Sequence, residues 1–326
     1  MTAWSDTNND PDAFSPWRVG MHTSIAGSLD QAAERAHQLG CTAFQIFSGS
    51  PRMWKTRQPA AEQVAALACL RERYDLRPLV IHTSYLINLA SPDEALRERS
   101  IEAFRGEIAR AVALQADYLV LHPGSHRGSS AEQGIGTLAD SIRQAARQTP
   151  FERVCLLLEN TCGQGHVLGG TFEQLRDILA LLDGLGADCC MDTAHCFAAG
   201  MDLSHRQGLE WMLANLDRTV GIDRVRVVHA NDSRAPLGSH RDRHEHIGHG
   251  GIGRKGFREI VNHPALRHKV FILETPLEVP GDDLRNMKVI RSLRAGVGGT
   301  TRRVSPHRVR KRVAISGQPA RAMRRK

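Results

Sequence analysis

From residue 18 onward the chain alternates short runs rich in Val, Ile and Leu with longer stretches of helical period. The short runs, at 19–24, 43–47, 79–83, 118–122, 154–159, 188–192, 225–229 and 270–274, predict eight strands. Between them, capping-box spacing marks helix starts at Ser28 with Gln31, at Ser91 before Pro92 and Glu94, and at Thr171 with Gln174, and Gly40 closes the first helix. Later helices are expected at about 204–218, 254–262 and 281–294. Eight β-α units with nearly unbroken apolar strands predict an α/β fold, a closed parallel (β/α)8 TIM barrel forming a single domain over residues 18–294. The structural alternative is an eight-stranded doubly wound open sheet. No G-x-G-x-x-G follows the first strand, which weakens a dinucleotide-binding reading. Residues 1–17 and 295–326 are expected to be disordered extensions, the second of them a basic tail.

The composition changes this picture little: 326 residues, 41% hydrophobic and 24% charged, suit an ordinary globular domain. No window approaches the ~20 apolar residues that span a bilayer, and the polar N-terminus lacks the pattern of a signal peptide, so a cytoplasmic protein is expected. The seven cysteines are odd in number and show no C-x-x-C pair; they read as buried reduced thiols. The net charge of +8 needs dividing. Residues 295–326 hold ten Lys and Arg and no acid, which leaves the rest of the chain at −2. The 16 histidines equal all Phe, Trp and Tyr together, and several stand beside carboxylates, which points to metal rather than to a basic face.

In such a barrel the active site lies at the carboxyl ends of the strands. Strands three to eight end in His82, His122, Glu159, Asp192, His229 and Glu274. With 35 Asp and Glu and 16 His among 326 residues, a given strand end carries one of these about one time in six, so six in succession are not accounted for by isolated polar caps. His195, three residues after Asp192, and the D-x-H pair Asp242 and His244 in the His-rich loop after strand seven extend the set. All nine are oxygen or imidazole ligands without a thiolate, as expected of a catalytic zinc or manganese site with open positions. Three ions, with one carboxylate shared, is the economical count.

The segments HTSYLINLAS (82–91), VLHPGSH (120–126), LLENTCGQG (157–165), MDTAHCFAAG (191–200), VVHANDSR (227–234), DRHEHIGHGGIG (242–253) and LETP (273–276) resemble, in order and spacing, the motifs of the endonuclease IV family of apurinic/apyrimidinic (AP) endonucleases. The resemblance covers about residues 18–294. Ala194 stands where that motif usually has Cys. The resemblance implies one Zn2+ on His82, His122 and Glu159, a second on Glu159, Asp192, His229 and Glu274, and a third on His195, Asp242 and His244, with Mn2+ an alternative at one site. It makes Glu159, the bridging carboxylate, and Glu274 catalytic. It also implies hydrolysis of the phosphodiester 5′ to an abasic site in double-stranded DNA, removal of 3′-blocking groups, and a monomer that inserts Arg52, Tyr85 and Leu86 into the duplex at the lesion.

Without the resemblance, the 48–58 loop and Tyr85 read equally well as ordinary loop packing. His22, at the end of strand one, is a tenth ligand or a hydrogen-bonding neighbour of the site. His126, His240, His246 and His249 are supporting or phosphate-contact candidates or solvated loop residues, and His37 and His205 are expected on helix surfaces. Two other functions share the pattern. A sugar isomerase or epimerase uses a similar barrel with one or two divalent ions, from which the third ligand set and the Arg52–Trp54 loop separate it. A non-catalytic nucleic-acid binding module has no need of nine convergent metal ligands.

Overall fold

The computed structural model describes residues 17–295, so the expectations for the N-terminal extension and, beyond Ala295, for the basic tail lie outside the described residues. Strands β1 (Val19–Met21), β2 (Phe44–Phe47), β3 (Leu79–His82), β4 (Tyr118–Leu121), β5 (Cys155–Glu159), β6 (Asp188–Asp192) and β7 (Val225–His229) alternate with helices α1 (Leu29–Gln38), α2 (Ala61–Arg73), α3 (Glu94–Ala113), α4 (Ala131–Gln148), α5 (Phe172–Leu181), α6 (Thr193–Ala198) and α7 (Arg206–Thr219). A short hairpin of β8 (Asp232–Ser233) and β9 (His244–Glu245) precedes α8 (Gly253–Asn262), β10 (Val270–Leu273) and α9 (Asp282–Leu293).

The eight long strands run parallel in the order β1-β10-β7-β6-β5-β4-β3-β2. The ends meet where His22 bridges Gln45 in parallel and the Thr23 amide donates to the Gln45 carbonyl at 2.8 Å, so the sheet closes as the apolar strands predict. Gly20 makes the closure possible: a Cβ there would lie 1.7 Å from the Ala43 carbonyl oxygen. The open-sheet alternative is thereby excluded.

Two apolar layers result. Ala43, Val80, Val120, Leu157, Cys190, Val227 and Ile272 fill the barrel interior, and a larger cluster fills the annulus between strands and helices. The interior layer floors the site, because the next inward positions are at the strand ends, where the chemistry-bearing residues stand.

The predicted strands match within a few residues, and the local differences have local causes. Thr171 caps α5 as expected, accepting from the Gln174 amide, but the Gln174 side chain turns to the amides of Gly169 and Gly170. Asp93 rather than Ser91 caps α3, accepting from Leu96, while Ser91 Oγ accepts from the Asp93 amide one turn earlier. Ser28 is the N-cap of α1 without a side-chain cap bond. The helix expected at 204–218 starts at Arg206 because the His205 side chain caps it. Helix α6 and the β8–β9 hairpin have no counterpart in the periodicity; both are too short to show one. All seven cysteines are free, but Cys69 is exposed and Cys155 half-buried, against the expectation that all are buried. Among the described residues no helix is long and apolar enough to cross a membrane.

Candidate metal centre

His82, Glu159, Asp192 and His229 are the last residues of β3, β5, β6 and β7, and His122 and Glu274 directly follow β4 and β10. The parallel register brings all six to one end of the barrel. Helix α6 adds His195: Asp192 caps it by accepting from the His195 amide at 2.8 Å, which turns that imidazole back over the strand ends. The hairpin adds His244, with Asp242 just before it.

Glu159 is the hub. Its Oε2 lies 3.2 Å from His82 Nε2 and 3.1 Å from His122 Nε2, and its Oε1 lies 3.1 Å from His229 Nδ1 and 3.4 Å from His195 Nδ1. His229 Nδ1 is also 3.2 Å from Glu274 Oε2 and 4.0 Å from Asp192 Oδ2. Asp242 lies 3.2 Å from His195 Nε2 and 3.3 Å from His244 Nε2. Ligand atoms of His82, His122 and Glu159, of Glu159, Asp192, His229 and Glu274, and of Asp192, His195 and His244 fall within 4.8 Å of one another in each group. All nine sequence-derived candidates are thus brought together. His22 is outside these groups and stands beside the site, its Nδ1 2.9 Å from Gln45 Nε2 and 3.4 Å from Glu274 Oε1.

The donor set fits metal ions. His82 Nδ1 donates to the Thr83 carbonyl (2.8 Å), His195 Nδ1 to the Asn160 carbonyl (2.8 Å), His244 Nδ1 to the Glu274 carbonyl (3.2 Å) and His229 Nε2 to Gln45 Oε1 (2.9 Å). Each ring therefore turns its other nitrogen toward the carboxylates, where it can offer a lone pair to an ion, as in metal-ligating histidines. His244 Nε2 is buried and makes no hydrogen bond, an orphan that a cation would satisfy.

Electrostatics point the same way. Burial opposes protonation of His195 and His229, yet the carboxylates of Asp192, Asp242 and Glu159 around the first, and of Glu274 and Glu159 around the second, raise both well above the usual imidazole range. Burial likewise opposes ionisation of Glu159 and Glu274, but His229 and its neighbours hold both carboxyls well below theirs. Asp242 is held at about 2 against desolvation, mainly by His195. The cluster demands positive charge, as protons or as metal.

Several partners escaped the sequence reading. Gln45, fully buried on β2, hydrogen-bonds His229, Glu274 and His22; its signal was a lone amide in the apolar run FQIF. Asn231 Nδ2 donates to Asp192 Oδ2 at 2.7 Å and its Oδ1 accepts the Glu274 amide, and Asn160 Oδ1 accepts the Asp192 amide. Cys190 lies within ligand reach of Glu159 and His229, but burial pushes its thiol to about 12, so it is a neutral thiol under the site.

At the rim, Arg52 and Tyr85 are exposed and Leu86 half-buried. Tyr85 stands edge-on to Phe47 at 5.4 Å, and Phe47 in turn packs on His82 and His22, so rings run from the rim into the site. Trp54 instead lies under the Arg99 guanidinium at 4.3 Å, the ordinary loop packing that was its plainer reading. Of the remaining histidines, His240 Nδ1 donates to the Cys162 carbonyl, His246 meets Asn286, and His37 stacks on Tyr74 away from the site.

A family model described as xylose isomerase-like TIM barrel matches residues 33–293. A protein of Solibacter usitatus named probable endonuclease 4 is 52% identical over 279 residues, covering 85% of this chain and 96% of its own. The crystal structure of endonuclease IV from Thermus thermophilus superposes with a TM-score of 0.74 at 39% identity, covering 85% of this chain and 98% of that one. A D-tagatose 3-epimerase-like protein reaches 0.65 at 21% identity over 84% of this chain and 96% of its own, a likeness of fold alone.

Proposed function

Because the chain belongs to the endonuclease IV family and so is a nuclease of DNA repair, we propose that it hydrolyses the phosphodiester 5′ to abasic sites, leaving a 3′-hydroxyl and a 5′-deoxyribose phosphate. The same chemistry at a nick would remove blocking groups from 3′ ends. The observation that carries the reading is the convergence of nine carboxylate and imidazole ligands at the mouth of the barrel around the buried Glu159.

In this reading His82, His122 and Glu159 hold one Zn2+, Glu159, Asp192, His229 and Glu274 a second, and His195, Asp242 and His244 a third, with Mn2+ an alternative at one site. When bound, the ions supply Lewis acidity toward the phosphate and lower the pKa of water. The protein's own work is placement. Thr83, Asn160, Glu274 and Gln45 fix the four ring orientations, and the Asp192 cap ties the second and third ligand groups together. Arg52, Tyr85 and Leu86 enter the duplex beside the abasic nucleotide, where stacking and pairing are already lost and extrusion is cheap. The protein acts as a monomer on cytoplasmic DNA.

The mechanism is tested at the product ends. A lyase needs an amine for a Schiff base, and among the described lysines Lys55 alone stands on the loop that carries Arg52. Cleavage of an abasic duplex should leave a 3′ end that a polymerase extends directly, with no protein–DNA adduct trapped by borohydride; an unsaturated aldehyde at that end would rule out hydrolysis.

Metal loading should also release protons. The carboxylates around His195 and His229 favour their protonated forms, raising both well above the usual imidazole range against burial, and ligation requires them neutral. Binding therefore weakens as pH falls. Titration calorimetry with Zn2+ in two buffers of different ionisation heat is expected to give different apparent enthalpies; equal enthalpies would contradict the charge balance described above.

A further inference from the structure

The two loops that carry Arg52 and Tyr85–Leu86 come from successive β-α units, and nothing in their sequences links them. In the structure they share one anchor. Glu107 and Arg110 on α3, exposed by only 6% and 4%, form an ion pair of 3.1 Å beneath the rim. Arg110 Nε donates to Ser48 Oγ at 2.7 Å and its Nη1 to the Thr56 carbonyl at 3.3 Å, so one guanidinium holds both ends of the loop that carries Arg52. Gly49 lets that loop close, since a Cβ there would meet the Thr56 side chain at 2.2 Å. Glu107 accepts from Ser48 Oγ through Oε2 and from the Ser84 amide at 3.4 Å through Oε1. Ser84 Oγ then donates to the Pro51 carbonyl, next to Arg52, at 2.8 Å and accepts the Leu86 amide at 3.3 Å.

A buried ion pair is a poor stabiliser compared with apolar packing, because desolvation offsets most of its attraction. Its use lies in what it orients. Among the described residues, the side-chain hydrogen bonds of the pair beyond itself go to residues 48, 56 and 84, at the roots of the two loops. We propose that Glu107 and Arg110 are positioning residues for duplex engagement: they lock the Arg52 loop to the Tyr85–Leu86 loop, so that the side chains entering the DNA are presented as one preorganised unit. The inference rests on the reading that these loops meet the lesion. Preorganisation spares the ordering cost that each immobilised side chain otherwise adds on binding.

The test uses metal-loaded full-length protein with Glu107→Gln, and with Ser48→Ala as the milder variant should the first fail to fold. Trypsin cleavage after Arg52 and Lys55, followed by mass spectrometry without DNA, reads the loop itself and is expected to speed up about tenfold as the loop opens more often. Dissociation constants for an abasic duplex should rise about tenfold, equal to about 1.4 kcal/mol, while bound metal and the single-turnover rate at saturating enzyme stay within about twofold. Unchanged tryptic cleavage in the folded variants would overturn the locking role. Faster cleavage with unchanged affinity would overturn the link to DNA. Arg52→Ala separates the two readings: if it too leaves affinity unchanged, the assignment of these loops to DNA fails, whereas weaker binding by Arg52→Ala but not by Glu107→Gln sinks only the coupling.

Discussion

Replacing Glu159 by Gln is expected to abolish measurable abasic-site cleavage, a loss on the order of 10³-fold or more. Glu159 is fully buried, and each of its oxygens faces two imidazoles, from His82 and His122 on one side and from His195 and His229 on the other. Glutamine keeps the volume but removes the charge, and its NH2 group has no lone pair to offer an ion on the side it occupies. An amide cannot bridge two cations. Metal analysis of the variant should show less bound metal, and circular dichroism should show the barrel intact, since the interior layer beneath the site is untouched. Full activity, or unchanged metal content, would falsify the shared-ligand arrangement.

Asp232→Ala should have the second largest effect, although Asp232 is no ligand. Its buried carboxylate on β8 accepts the amides of Ser233, Gly248, Gly250, Ile252 and Gly253, and so folds the loop behind His244 against the barrel. The loop approaches so closely that a Cβ on Gly250 would lie 2.6 Å from Asp232 Oδ1 and 2.4 Å from the Ser233 carbonyl oxygen. Burial pushes this carboxyl above the usual range although the amides pull the other way. Alanine leaves up to five amides without a partner, at about 1–3 kcal/mol for each one that stays buried, so the loop opens rather than bearing the full cost. The hairpin then no longer holds His244 and Asp242 against His195. Metal content should fall by about one ion per chain and cleavage by about 10²-fold, the upper end for loss of a ligand-supporting contact. Hydrogen exchange in residues 246–253 should rise while the strands stay protected. Asp232→Asn, which keeps one acceptor, should fall between. Unchanged metal content together with protected amides would show that the loop stands without its anchor.

Much of this protein could be read from local pattern. Strand ends follow from where apolar runs stop, and in a parallel barrel all such ends face one way, so His82, His122, Glu159, Asp192, His229 and Glu274 were legible as a set before any distance was known. The seven ordered segments named the family, and the D-x-H spacing offered Asp242 and His244. What the chain alone did not determine is which atom faces which. Glu159 as a hub depends on four strands and a helix meeting at fixed register. The tautomers of His82, His195 and His244 depend on backbone carbonyls, which any sequence supplies. Gln45, Asp232, Glu107 and Arg110 stand at positions where periodicity predicts either apolar filler or solvated surface, and only contacts with residues distant in sequence decide otherwise: Gln45 lies 184 residues from His229, and Arg110 lies 62 from Ser48. The physical reason is the same in each case. A hydrophobic period reports how much of a side chain is removed from water, whereas a buried polar group is tolerated only where a partner meets it, and that partner is chosen by chain closure rather than by the residue itself.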